Sequence, residues 1–250
     1  MFKIILKSNE YNKPFFLINF LIKLCISYSM KLGVITIGQS PRPDVVGEIT
    51  RILGGDYEIL ERGALDDLTV DEVKQKKPEL GKGVLVTRMR DGTEVKVTHD
   101  MVNPGIQKSI TQLEESGAEL ILLVCTGKFP EFISKVLVVR PSEIVKGVTQ
   151  AAIRKGRMAS ILPSMQQVGG APVEREEDGL VTYYDSASPY GLIAEVEKLG
   201  DRLTKKNLDL ILLNCMGFTQ KHKEIIKRKT GKPVIQSSAL VANVLKELLL

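Results

Sequence analysis

The chain has no tryptophan, two histidines and three cysteines in 250 residues, and each scarcity removes a class of mechanism. No cysteine or histidine lies within about five residues of another, so the paired-ligand spacing of a structural zinc site is missing. Three cysteines in so long a chain do not make a disulfide scaffold. Neither GxxxxGK[ST] nor a GxGxxG after a predicted strand is present, which leaves no signature for nucleotide phosphates. Chemistry without metal or cofactor is therefore the expectation. Long apolar runs are scarce too. The best, Phe15 to Ser27, is shorter than the roughly 20 residues of a membrane span and is broken by Asn19 and Lys23. Ser27-Tyr28-Ser29 is a poor export cleavage site. Met30 then opens directly on a basic residue and a buried-strand pattern, KLGVITIG. Residues 1–29 read as an extension outside the fold of a cytoplasmic protein with no membrane partner, and Cys25 is assigned no role.

What is present is ordinary globular material, 43% hydrophobic and 26% charged. The net charge of +5 is concentrated at the N-terminus, where Lys3, Lys7, Lys13 and Lys23 face only Glu10. Nucleic-acid binding needs a dense basic run, and Lys221 to Lys232 is the one candidate. Ile225 and Ile226 sit between its charges as in an amphipathic helix, so the run reads as a solvated helix face and no nucleic-acid partner is expected.

From Lys31 onward, short apolar runs alternate with longer amphipathic stretches, the pattern of βα units. Strands are predicted at 32–37, 57–60, 120–124, 159–162, 208–213 and 233–235. Helices are predicted at 44–53, 104–116, 141–154, 191–205, 220–228 and 238–249. The fold class is α/β with mostly parallel sheets. One antiparallel feature stands out at Gly83 to His99, where Asp91-Gly92 between alternating flanks predicts a two-residue hairpin.

The chain also repeats itself. GAELILLVCTGKF at 117–129 matches NLDLILLNCMGFT at 207–219, with cysteine and glycine coinciding as well as the aliphatic residues. PSEIVKGV from 141 answers SSALVANV from 237. The repeat implies two similar Rossmann-like halves facing one another across a cleft.

In open α/β sheets, ligands sit beyond the carboxyl ends of strands. Cys125 and Cys215 hold that place in both copies, each followed two residues later by a glycine, Gly127 or Gly217. A helix is expected after each, and its N-terminal field lowers a thiol from its ordinary pKa of about 8.5. Two thiols across a cleft suit removal of a proton from one face of a carbon and its return to the other. A lone strand-end cysteine packs as a small hydrophobe. Two at equivalent places point to chemistry.

Other candidates surround this pair. The loop GQSPRPD offers Gln39, Ser40 and the bidentate guanidinium of Arg42 to a carboxylate. Thr126 and Asn214, beside the cysteines, are placed to orient thiol or ligand. Ser164 and Gln166 in the second half's matching loop, with Tyr183, Tyr184 and Ser186, are weaker candidates for the cleft wall. His222 is expected on a helix surface facing away from the thiol. His99 is expected to close the hairpin ahead of a helix with Asn103 as N-cap and Pro104 at its first position.

Taken together, KLGVITIGQSPRPD at 31–44, ERGALDDLT at 61–69, ELILLVCTG at 119–127, DLILLNCMGFTQKHK at 209–223 and the ending KPVIQSSALVANVLKELL resemble the AroM family. That family is similar to the aspartate/glutamate racemase superfamily. The resemblance implies cofactor-independent racemase, epimerase or isomerase chemistry on a small carboxylate, with Cys125 and Cys215 as the catalytic positions. It implies substrate contacts at Met216 and Gly217, since CMG is similar to the Cys-x-Gly of hydantoin racemases. The Cys-Asn-Thr of amino-acid racemases is replaced by Cys125-Thr126-Gly127. The chain crossing of that superfamily implies halves at 30–139 with 234–250, and 140–233. A homodimer is admitted, with the Gly83–His99 hairpin as contact surface or cleft cover. The competing reading is a non-catalytic metabolite-binding or regulatory protein that keeps the cleft.

Overall fold

The computed structural model describes residues 29–55, 57–76, 78 and 83–249. The expectations for residues 1–28, Cys25 included, fall outside that range. The first half opens with β1 (Met30–Thr36), α1 (Pro43–Leu53), β2 (Tyr57–Gly63) and α2 (Val70–Gln75). The hairpin β3 (Leu85–Arg88) and β4 (Glu94–Val97) follows, then α3 (His99–Glu115), β5 (Leu120–Val124), β6 (Leu137–Val139) and α4 (Pro141–Ala152). The second half runs through β7 (Gly156–Leu162), α5 (Met165–Val168), β8 (Val173–Glu177), β9 (Leu180–Ser186) and α6 (Ile193–Thr204). It ends with β10 (Leu210–Leu213), α7 (Gln220–Thr230), β11 (Val234–Gln236) and α8 (Ser237–Leu249).

The two sheets share a strand order. The first has the order β2-β1-β5-β6 and the second β11-β10-β7-β9-β8. Read from the other edge, the second sheet is the first with one strand added, so β1, β2, β5 and β6 answer β7, β9, β10 and β11. All pairs in both sheets are parallel except β8 with β9. Alternate side chains take opposite faces. Leu32, Val34, Leu120 and Leu122 from one sheet and Met158, Leu210 and Leu212 from the other share a core with Val45, Val46 and Ile49 of α1 and Val241, Ala242 and Leu245 of α8. The intervening residues Ile121 and Leu123 pack under α3, and Ile211 and Leu213 under α6 and α7.

The expected return of residues 234–250 to the first half divides in the structure. β11 pairs with β10 in the second sheet, whereas α8 packs against α1. Helix α3 begins at His99, not at Pro104, with Thr98 as N-cap. Val102 and Ile106 belong to one buried stripe with Ile110 and Leu113, and burying that stripe carries the helix across the proline. The hairpin forms, but its loop is longer than expected. Gly92 N–H donates to Met89 C=O and Met89 N–H to Thr93 C=O, with Gly92 at φ 88°, the three-residue loop that ends in a left-handed glycine. The two-residue hairpin lies instead at Asp178-Gly179, both at positive φ, between β8 and β9. Strands β6, β8 and β9 and the short helices α2 and α5 were not foreseen.

His222 is buried, not a surface residue: its Nδ1 accepts from Thr219 N–H at 2.9 Å and its ring packs edge-on against Phe218. The basic stretch forms α7 with Ile225 and Ile226 inward, while Arg228 and Lys229 pair with Glu197 and Asp201. Among the described residues, no helix is long and apolar enough to cross a membrane.

The second half is braced by Asp185, whose side chain is wholly buried. It accepts from Arg202 Nε and Nη2 at 2.9 Å each, from Tyr183 O–H at 3.1 Å and from Ser186 N–H at 2.7 Å. Asp185→Ala strands these donors. Arg202 is 41% exposed and can turn to water, so the cost falls below that of a fully buried pair. We expect a loss of about 2 kcal/mol, read from urea denaturation at unchanged m-value.

Candidate active site

The strand ends β1, β5 and β10 converge on one small cavity between the halves. Its wall contains Thr36, Arg42, Thr87, Cys125, Thr126, Tyr190, Cys215, Met216 and Gly217, closed by the aliphatic Ile37, Val45, Val86 and Val124. Its volume is about 20 Å³, room for about one water. A wider surface cleft of about 730 Å³ between α4 and the β8–β9 hairpin, lined in part by Gln150, Arg154, Arg175 and Tyr184, contains neither cysteine.

The two cysteine loops are built alike. Cys125 Sγ accepts from Gly127 N–H at 3.3 Å, and Cys215 Sγ accepts from Gly217 N–H at 3.4 Å. The loops also touch, since Thr126 O–H donates to Asn214 C=O at 3.3 Å. Gly217 admits the second half's Tyr190: a Cβ there would meet the phenol oxygen at 2.7 Å.

The electrostatics depart from expectation. No helix follows Cys125 until Pro141, and α7 starts five residues past Cys215 with its Gln220 N–H already given to Glu48. Burial dominates instead, opposed at each thiol by one glycine N–H. Cys125 is pushed up to about 12 and Cys215 up to about 11. The positive charge of Arg42 acts downward on Cys215. Arg42 acts directly on Cys215 alone, so Arg42→Gln is expected to move the alkylation profile of Cys215 to higher pH and to change that of Cys125 less, through its coupling to Cys215. Peptide mapping after iodoacetamide at a series of pH values tests this.

Arg42 is the residue of the first loop that reaches the cavity. It is 4% exposed and bidentate with Asp44, Nε and Nη2 each at 2.9 Å. Burial works against its charge, but the bond to Asp44 prevails and keeps it ionised. Pro43 at the first position of α1 fixes the turn that aims it inward. Gln39 and Ser40 do not line the cavity. Gln39 Nε2 donates to Leu65 and Leu68 carbonyls and its Oε1 accepts from Arg90 N–H, while Ser40 is bound to the Asp66 carboxylate. Both brace the loop that carries Arg42. Asn214 also stands outside the wall, with its N–H on Ile161 C=O and its side chain on Ser160. Gly127 contributes through its N–H alone.

In the second half, Ser164 caps α5, Tyr183 serves Asp185, and Tyr184 lies under Arg175, so none of them lines the cavity. Tyr190 does, with the Arg42 and Arg88 guanidinium carbons 5.2 and 5.1 Å from its ring centre. Burial, first, and the neighbouring Cys215 raise its pKa. Thr36, Thr87 and Tyr190 were missed. Thr87 and Tyr190 arrive from the hairpin and from a loop, at places that no strand-end rule marks. Among the described residues, no group of three His, Cys, Asp or Glu side chains is placed to hold a metal.

Several solved structures share this architecture. A glutamate racemase isoform from Bacillus anthracis aligns with TM-score 0.55 at 14% identity, over 89% of this chain and 82% of that one. Glutamate racemase from Aquifex pyrophilus gives 0.52 at 16%, over 88% and 84%. Arylmalonate decarboxylase gives 0.51 at 17%, over 86% and 92%. At such identities the likeness establishes the fold. No functionally curated protein matches the sequence significantly. The family model described as AroM protein matches residues 32–249, and the chain belongs to that family.

Proposed function

We propose that the protein is a cofactor-independent racemase, epimerase or isomerase of a small carboxylate, with Cys125 and Cys215 as a two-base pair. The observation that carries this is the placement of both thiols on one cavity, from equivalent strand ends of the two halves, each with the same i+2 glycine N–H at its sulfur. Cys215, favoured by Arg42, enters the reaction as thiolate and takes the proton from one face of the substrate carbon, becoming a thiol. The Cys125 thiol delivers its proton to the opposite face and becomes the thiolate that serves the reverse direction. Thr126, Met216 and Gly217 complete the wall against which the substrate is held. The Gly127 and Gly217 N–H groups stabilise whichever sulfur is anionic.

The high thiol pKa values favour one other reading, a metabolite sensor in which both thiols stay neutral. Incubation with a panel of small carboxylates in D₂O, followed by proton NMR, decides between them. Loss of one Cα–H signal that requires both cysteines supports the isomerase. Line broadening of a ligand without exchange, unchanged in Cys125→Ala and Cys215→Ala, supports the sensor and overturns the proposal.

A further inference from the structure

The cavity wall is unequal in its hydrogen-bonding capacity. Thr36 Oγ1 accepts from Gly38 N–H at 3.2 Å and from Arg42 Nη1 at 3.4 Å, and Thr87 Oγ1 accepts from the same Nη1 at 3.2 Å. Neither hydroxyl hydrogen has an acceptor among the described residues, so both are left to donate. The two bonds of Nη1 are long, while the shorter, bidentate ones of Arg42 are given to Asp44. Both Nη1 hydrogens are thus spent on the threonine oxygens, and the two hydroxyl hydrogens they orient form a pair of donors on one wall. The Tyr190 hydroxyl lies on the same cavity.

Acceptors are scarce. No Asp or Glu side chain lines the cavity. The Asp44 carboxylate is shared between Arg42 and Arg88, and Glu94 on the hairpin accepts from Ser188 O–H. The rest of the wall is aliphatic. A carboxylate brings acceptors only and matches the donor cluster, whereas an ammonium brings three donors and no acceptor. A buried ammonium without a partner costs several kcal/mol, more than a small ligand's other contacts return.

We propose that the substrate is a carboxylic acid whose reacting carbon bears no amino group, its carboxylate held by the hydroxyls of Thr36 and Thr87, with the Arg42 charge behind them, and its remaining substituents resting on the aliphatic wall. This rests on the reading of the cavity as a substrate site, but it concerns recognition and is testable by binding alone. The probes are two matched series, each offered as both enantiomers: valine, 2-hydroxy-3-methylbutanoate and 2,3-dimethylbutanoate, then phenylglycine, mandelate and 2-phenylpropanoate. Saturation-transfer NMR and calorimetry measure binding, and exchange in D₂O is recorded separately.

In at least one series the hydroxy or alkyl acid is expected to bind at least about ten-fold more tightly than the amino acid. Thr87→Val, which keeps the shape and removes the donor, is expected to weaken that acid by about ten-fold, with recovery in Thr87→Ser. A circular dichroism spectrum like that of the parent shows that the valine variant is folded. Binding with this pattern but without exchange upholds the recognition and removes the isomerase reading. Exchange of an amino acid upholds the isomerase and overturns the recognition. Equal binding across a series, no binding in either series, or indifference to Thr87→Val overturns it as well.

Discussion

Cys125→Ser and Cys215→Ser are each expected to cut interconversion of the substrate's two stereochemical forms by about 10²- to 10⁴-fold, the range of a lost general acid or base. Serine keeps the size of the side chain but supplies no anion near neutral pH. The two losses differ in stereochemistry. With Cys215 replaced, Cys125 still serves one face, so deuterium enters one enantiomer with retention and the product enantiomer does not form. With Cys125 replaced, the same occurs in the other enantiomer. Chiral chromatography of reactions in D₂O with mass detection separates the cases. Interconversion at the parental rate in either variant overturns the two-base assignment, and one silent variant points to chemistry by a single cysteine. The pH profile follows from the same pair. Burial holds Cys215 at about 11 and Cys125 at about 12, so protonated thiols dominate at neutral pH. Well below its pKa, the thiolate fraction rises about ten-fold per pH unit, and kcat/KM should climb through the alkaline range instead of peaking near neutrality.

The features that pointed to this pair were local ones. Aliphatic runs of five and four residues, the first ending on Cys125 and the second one residue short of Cys215, mark β5 and β10, because a strand buried on both faces reads as a continuous apolar run. The repeat then placed both cysteines at equivalent ends, and the topology carries that equivalence. The electrostatic expectation failed because it assumed a helix after each cysteine. Whether the segment after Val124 coils into a helix or runs on to β6 is settled by the edge of the first sheet, which takes up Leu137–Val139 as its fourth strand. Asp-Gly signalled hairpins at both of its places. Only the first was recognised, since its flanks alternate, whereas β8 reads Val-Glu-Arg-Glu-Glu, a charged edge strand without alternation. Gln39 and Ser40 are polar residues next to a strand end, the usual place of a ligand contact. That polarity is spent on Leu65, Leu68 and Asp66, partners some 26 to 29 residues away in the chain. The residues that replace them at the cavity, Thr87 and Tyr190, come from segments whose position depends on how the halves meet.

The hidden dependence of the site on α3 gives the largest expected effect on stability. Gly105 sits inside that helix, and a Cβ there would lie 1.9 Å from Ala64 C=O oxygen and 2.7 Å from its carbon. Both sides of the contact are backbone, so no rotamer change can relieve it. Gly105→Ala gains about 1 kcal/mol of helix propensity. Against this, a clash between main chains exceeds the ordinary overpacking cost of roughly 1–3 kcal/mol, and a net loss of about 3 kcal/mol is expected. For a chain of this size that lowers Tm by roughly 6–12 °C, readable by calorimetry, and an unchanged or raised Tm would refute the packing argument. The damage should not stop at stability. The turn that α3 presses on gives Ala64 N–H to Thr36 C=O at 2.9 Å and Leu65 N–H to Gly38 C=O at 3.0 Å. These bonds set the end of β1, where Thr36 meets the cavity and the loop to Arg42 begins. A displaced α3 therefore moves the donor cluster, and ligand binding by Gly105→Ala should be weakened at temperatures where the variant is still fully folded.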